Sequence, residues 1–305
     1  MSAAATIPAR RFHGVRSFSS LVKLSHTIFG LPFALASTLL AHRFATAAGQ
    51  PGLSLGRMAL IVLAFAGARA AAMGFNRIVD RRFDAENPRT ADRELPRGVI
   101  AVRTAWVLTG LSAAIFVAAA AALGPVPAML SLPCLAVVLG YSLFKRFSWT
   151  SHLVLGVALA LAPGGAFVAI TGDFAGWWIP VPLMLAVATW VAGFDVLYSL
   201  ADVDFDRSHG LHSIPARFGV RGALWLSGLL HLGTVGALVA LHRVAGLGLA
   251  HLVGVGLIAA ILVYEHWIVR PGDLSRLGKA FFDLNGYVSI AYLVATAVDV
   301  LLLGA

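Results

Sequence analysis

The chain has 305 residues, of which 59% are hydrophobic and 12% charged, with mean hydropathy +0.85 and a formal net charge of +9. A soluble domain carries about 25% charged residues and sets polar faces against apolar ones. Here apolar runs are separated by short polar joints, which excludes that class and indicates a polytopic, all-α membrane protein. The single cysteine, Cys134, rules out an internal disulfide and reads as a packing residue.

In chain order, residues 1–22 have no apolar core of their own and read as a cytoplasmic arm, not a cleavable signal. Nine spans are predicted, near 24–42, 56–79, 103–123, 126–144, 152–171, 177–200, 222–241, 247–268 and 283–303, forming one membrane domain over residues 1–305. The +9 charge suggests a nucleic-acid partner until its placement is read. Nineteen of the 23 Lys and Arg fall in the arm or in the joints on the arm's side of the bilayer. The opposite face keeps Arg43, Arg57 and Arg243, and Arg69 lies within the second span. This is the positive-inside pattern of a bacterial-type inner membrane protein. Topology explains the basicity, and no nucleic acid is expected.

The second span ends in "GFNRIVDRRFDAENPRTADRELPRG", residues 74–98, which holds six Arg and five acids. Asn76, Asp80 and Asp84 follow one another at four-residue steps, so on a helix they share an arc of about 80°. The sixth span ends in "DVLYSLADVDFD", residues 195–206, where Asp195, Tyr198, Asp202 and Asp206 share a similar arc. Asp204 points to the opposite side if the helix persists that far. Charge at the membrane edge is costly unless it faces protein, a cavity or a partner. Two acidic faces at the same edge would offer hard oxygen ligands to Mg²⁺, which prefers one or two carboxylates together with phosphate oxygens. Arg89, Arg93 and Arg97 can grip diphosphate oxygens with bidentate guanidinium contacts. The combination suggests a metal-bridged diphosphate carrying a lipid tail. Two other readings stand beside it: interfacial charges that pair among themselves, and a cation transporter or lipid carrier. The acids gather at one edge, which disfavours a relay across the bilayer.

These motifs resemble those of the UbiA superfamily of intramembrane aromatic prenyltransferases. NxxxDxxxD matches Asn76, Asp80 and Asp84, and DxxYxxxDxxxD matches Asp195, Tyr198, Asp202 and Asp206. The loop "RTADRELPRG" (89–98) is similar to the family's RTxxRPLPxG, with Glu94 where Pro is common. Tyr141, Lys145 and Arg146 match YxxxKR. The resemblance implies a nine-helix bundle that transfers a polyprenyl group from its diphosphate to an aromatic carboxylate, with the reacting groups at the cytoplasmic side. It implies Mg²⁺ on Asn76, Asp80, Asp84, Asp202 and Asp206, with Tyr198 on the same acidic face. Substrate contacts are expected from Arg77, Arg89, Arg93, Tyr141, Lys145, Arg146, Asp195 and His212. Lys145 and Arg146 serve either as ordinary basic anchors or as partners of the diphosphate or the acceptor carboxylate. His26, His152 and His212 read as polar residues near helix ends, and Glu265 and His266 as interfacial.

Three stretches, "KLSHTIFGLPFAL" (23–35), "SHLVLGVALALAP" (151–163) and "DVDFDRSHGLHSIPARFG" (202–219), are similar to the branch that prenylates a naphthoate in futalosine-type menaquinone synthesis. A dihydroxynaphthoate is therefore the expected acceptor, with 4-hydroxybenzoate as the alternative.

Overall fold

The computed structural model describes residues 29–303. The arm and His26 lie outside them. Helices α1 (Leu31–Ala47), α2 (Leu55–Glu86), α3 (Val102–Leu123), α4 (Pro125–Phe144), α5 (Ser151–Thr171) and α6 (Pro180–Tyr198) follow one another through short joints. After α6 the chain tightens into a 3₁₀ turn, Ser199–Asp202, and resumes as α7 (Val203–Ser208), then α8 (Ile214–Val244) and α9 (Leu249–Ile268). The short α10 (Leu277–Lys279) passes through a π-helical turn, Ala280–Leu284, into α11 (Asn285–Ala297) and a second π turn, Val298–Leu302. Eight described helical segments are long and apolar enough to cross a membrane. The 17 residues of α1 supply the ninth crossing.

From α2 to α6 successive helices pack side by side, while α1 lies against α5 and α11 closes the bundle against α1. Within lipid, apolar surface gives little drive for helix association, so close packing and polar ties must supply it. Gly156 shows the first. A Cβ there would lie 2.2 Å from the carbonyl oxygen of Ala188, so α5 meets α6 backbone to backbone. Ser37 shows the second, donating to the carbonyl of Pro163 at 2.7 Å and tying α1 to α5. Phe33 wedges between Trp190 and Tyr292, with ring centres 5.0 and 4.9 Å away, and locks α1 to α6 and α11.

Boundaries differ from expectation where charge extends a helix beyond the hydrocarbon. α2 continues through Asp84 to Glu86, past the predicted end at 79, because the arginine-rich last turns remain helical in water. α8 starts at Ile214 and bends at Gly219, whose φ of +71° is left-handed and open to glycine. Glu265 is not interfacial. It is 1% exposed, accepts from Asn285 Nδ2 at 3.3 Å and lies 3.7 Å from His231 Nδ1. Asn285 in turn accepts from Trp190 Nε1 at 2.9 Å, so this polar chain joins α6, α8, α9 and α11. His266 is half-buried and meets His231 at 3.1 Å.

Candidate active site

The last turns of α2 and the end of α6 converge at one end of the bundle. Between them runs the joint after α2, held down by Leu95 and Ile100, which pack with Ile78 and Ala105 in a small buried cluster. Thr90 donates back to the Asp84 carbonyl at 3.0 Å, folding the joint over the helix end.

Each of the four carboxylates expected to hold metal is instead paired with a basic side chain. Arg146, just past α4, reaches Asp80 at 3.1 Å, and Asn76 Nδ2 donates to the other Asp80 oxygen at 2.9 Å. Arg93 meets Asp84 at 2.6 Å, and Lys145 meets Asp206 at 2.7 Å. Arg89 clasps Asp202 with two guanidinium nitrogens, the bidentate geometry that makes such pairs strong. Burial works against the Arg89 charge, yet the bonds to Asp202 and Tyr198 more than offset it and raise its pKa above the usual value. Arg89 also donates to the Tyr198 hydroxyl at 2.8 Å, and the Tyr198 ring stacks on Phe281 with centres 4.0 Å apart.

Among the described residues no three His, Cys, Asp or Glu side chains converge as a ready-made metal cluster. The expected single helical face also needs correction. Asp202 sits in the 3₁₀ turn, so Asp195 to Asp206 is not one α-helical arc. The outcome of the phase argument survives this break: Asp206 is 0% exposed and Asp204 is exposed.

From this charged end a cavity of about 670 Å³ runs into the bundle, enclosed mainly by α2 to α6. Asn76, Arg77, Arg93, Tyr141, Asp195 and Tyr198 stand at its polar end, and its remaining wall is mainly apolar, with Leu130, Cys134 and Trp177 among its residues. Arg77 is 6% exposed, and its Nε finds no partner among the described residues. Lys145, Arg146, Arg89 and the four paired carboxylates do not line this cavity. His212 is not brought to it either; the side chain is exposed while its backbone N–H donates to the Lys145 carbonyl at 2.7 Å.

Three features were not read from the sequence as parts of the site. Asn87 donates to Asp202 at 2.9 Å and accepts from the Arg89 N–H at 2.9 Å, presetting the arginine's approach. The signal was "ENP", an amide before proline at a helix stop. Arg69 lines the cavity, and its Nε lacks a partner among the described residues. A cation in an apolar wall calls for an anionic guest. Phe281, in the π turn, lines the cavity behind Tyr198.

The sequence matches the UbiA prenyltransferase family over residues 34–287. This chain belongs to that family. Over 294 residues it is 30% identical to a 4-hydroxybenzoate octaprenyltransferase of Pseudomonas aeruginosa, covering 96% of each protein. A UbiA homologue from Aeropyrum pernix K1, solved in its apo form, is 36% identical with a TM-score of 0.81, covering 90% of this chain and 98% of that one. A UbiA homologue from Archaeoglobus fulgidus, bound to GPP and Mg²⁺, shares the fold at 23% identity with a TM-score of 0.73, covering 92% and 98% of the two chains. The chain is thus an intramembrane prenyltransferase of the UbiA family. The hydroxybenzoate relative favours the alternative acceptor over the naphthoate expected from the three sequence stretches.

Proposed function

We propose that this UbiA-family enzyme moves a polyprenyl group from its diphosphate to 4-hydroxybenzoate, at the cytoplasmic face of the membrane. The observation that carries the reading is the cavity, which leads from a polar end of Asn76, Arg77, Arg93, Tyr141, Asp195 and Tyr198 into an apolar interior. A molecule with a charged head and a hydrocarbon tail fits that gradient.

One oxygen each of Asp84 and Asp206 is buried and has no partner among the described residues. Unsatisfied hard oxygens on both acidic clusters fit Mg²⁺. Asp80, Asp84, Asp202 and Asp206, with Asn76 beside them, would hold it, and when bound it neutralises the departing diphosphate. Arg89, Arg93, Lys145 and Arg146 then exchange their carboxylates for diphosphate oxygens, and Arg77, whose Nε has no partner among the described residues, joins them. The apolar wall shields the allylic cation from water. Arg69 lies within the same wall and pairs with the acceptor's carboxylate, while Asp195 and Tyr198 face the ring near the reacting end.

Support for 4-hydroxybenzoate comes from the relative matched over 96% of both proteins. The naphthoate differs by one fused ring. An apolar pocket discriminates an increment of that size by about 1–3 kcal/mol, or roughly 10–200-fold. The test is kcat/KM for both acceptors with one polyprenyl diphosphate. A preference for the dihydroxynaphthoate would return the enzyme to the naphthoate branch. If neither diphosphate nor a prenylated ring appears with Mg²⁺ and either acceptor, the transfer reading fails and a carrier role replaces it.

A further inference from the structure

Asp195 differs from the other acids of the site in its partner. Asp80, Asp84, Asp202 and Asp206 pair with Arg or Lys, whereas Asp195 Oδ2 meets His152 Nδ1 at 2.6 Å. His152 stands on the first turn of α5 and is 3% exposed. Asp195 stands on the last turn of α6, and its side chain, 25% exposed, lines the cavity. A carboxylate only accepts, so the bond fixes the imidazole as the Nδ1–H donor. Its Nε2 is buried and without a partner among the described residues. One histidine bond therefore anchors one carboxylate oxygen and leaves the carboxylate in the cavity.

We propose that His152 is the positioning residue that holds Asp195 as the base for the ring proton, an inference that rests on the transfer reading above. Prenylation forms the new carbon–carbon bond from the ring's π electrons. The C–H bond at that carbon then breaks, its electron pair restores the aromatic ring, and the proton goes to the Asp195 oxygen that His152 does not hold. Solvent takes that proton when product leaves. A guanidinium clamp would spend the carboxylate's basicity on a fixed positive charge, as at Asp202. The single imidazole bond orients it and leaves its second oxygen open to the cavity. This makes the chemical roles divisible: four acids for metal and diphosphate, one for the proton.

The experiment uses the full-length enzyme with His152→Ala, His152→Asn, Asp195→Asn and the double variants. It reads prenylated product from an acceptor carrying hydrogen or deuterium at the prenylated carbon. A positioned base contributes about 10²-fold or more, so His152→Ala should lower kcat by about that factor while leaving KM for the diphosphate unchanged. Deprotonation then becomes slow, and a deuterium isotope effect absent from the wild type should appear. His152→Asn should recover much of the loss, because its amide N–H stands near the place of Nδ1. In an Asp195→Asn background, substituting His152 should cost nothing more. If His152→Ala fails to fold, the Asn variants complete the same cycle. Wild-type kcat in His152→Ala, no isotope effect in a slowed variant, or losses that multiply in the double variants would each overturn the proposal. A wild-type enzyme that prenylates neither acceptor overturns the transfer reading itself, before any variant is made.

Discussion

Lys145→Met tests the pairing at the site without removing a carboxylate. Asp206 is 0% exposed, and its ion-pair partner is Lys145 at 2.7 Å. Breaking a buried pair by deleting one partner costs about 3–5 kcal/mol. One feature reduces that figure. Lys145 keeps a side-chain exposure of 33%, so water already screens part of the attraction. A destabilisation of about 2 kcal/mol follows. The assay is thermal unfolding of the purified protein in detergent, with and without Mg²⁺ and a polyprenyl diphosphate. The variant should melt several degrees lower when unliganded. Mg²⁺ should raise its melting temperature more than the wild type's, because the cation arrives at a carboxylate that no longer has to give up a lysine. A variant as stable as wild type, with the same Mg²⁺ response, would show that Asp206 is not held by Lys145 and would undo the exchange argument.

Asp80→Ala and Asp202→Ala should each abolish turnover in protein that still inserts, whereas Asp204→Asn should be mild, since Asp204 is exposed; product formation in membranes checks all three. In a Cys134→Ser background, single cysteines at Ala101 and Leu303 should label from opposite sides of the membrane, Ala101 from the cytoplasm, because an odd number of crossings, seven, separates them. In the wild type, Cys134 lines the apolar part of the cavity, so alkylation by a lipophilic maleimide should slow when a long polyprenyl diphosphate is bound with Mg²⁺. Equal rates would place the tail elsewhere.

How far the sequence could carry this is clearest at Asp195 and Asp202. Four-residue spacing is a local property, so it places Asn76, Asp80 and Asp84 on one side of α2 without knowledge of any other helix. The same logic marks Asp204 as outward, and Asp204 is exposed. Pairing is not local. Arg89 meets Asp202 across 113 residues and His152 meets Asp195 across 43, so the partners depend on how α2, α5 and α6 pack. The 3₁₀ turn at Ser199–Asp202 was illegible for a related reason, since no Gly or Pro marks it and its backbone answers to contacts with the joint after α2. Glu265 misled because a glutamate near a span's end is usually interfacial, and only the arrival of Asn285 from α11 gives its buried carboxylate a donor.

The concentration of charge at one end of an apolar chain then has a physical rationale. An unpaired carboxylate or guanidinium at this depth would carry a desolvation cost of several kcal/mol. The resting site avoids that cost by holding Asp80, Asp84, Asp202 and Asp206 each against Arg or Lys. A diphosphate with Mg²⁺ brings both signs of charge at once. Carboxylates can pass to the metal and cations to the phosphate oxygens with every ion still paired, so the barrier to binding is rearrangement and not exposure of bare charge. Either half alone leaves a set unmatched: Mg²⁺ without diphosphate strands the cations, and diphosphate without Mg²⁺ strands the acids. Under the exchange proposed above, metal and diphosphate binding are mutually dependent, and each should tighten the other by the same factor.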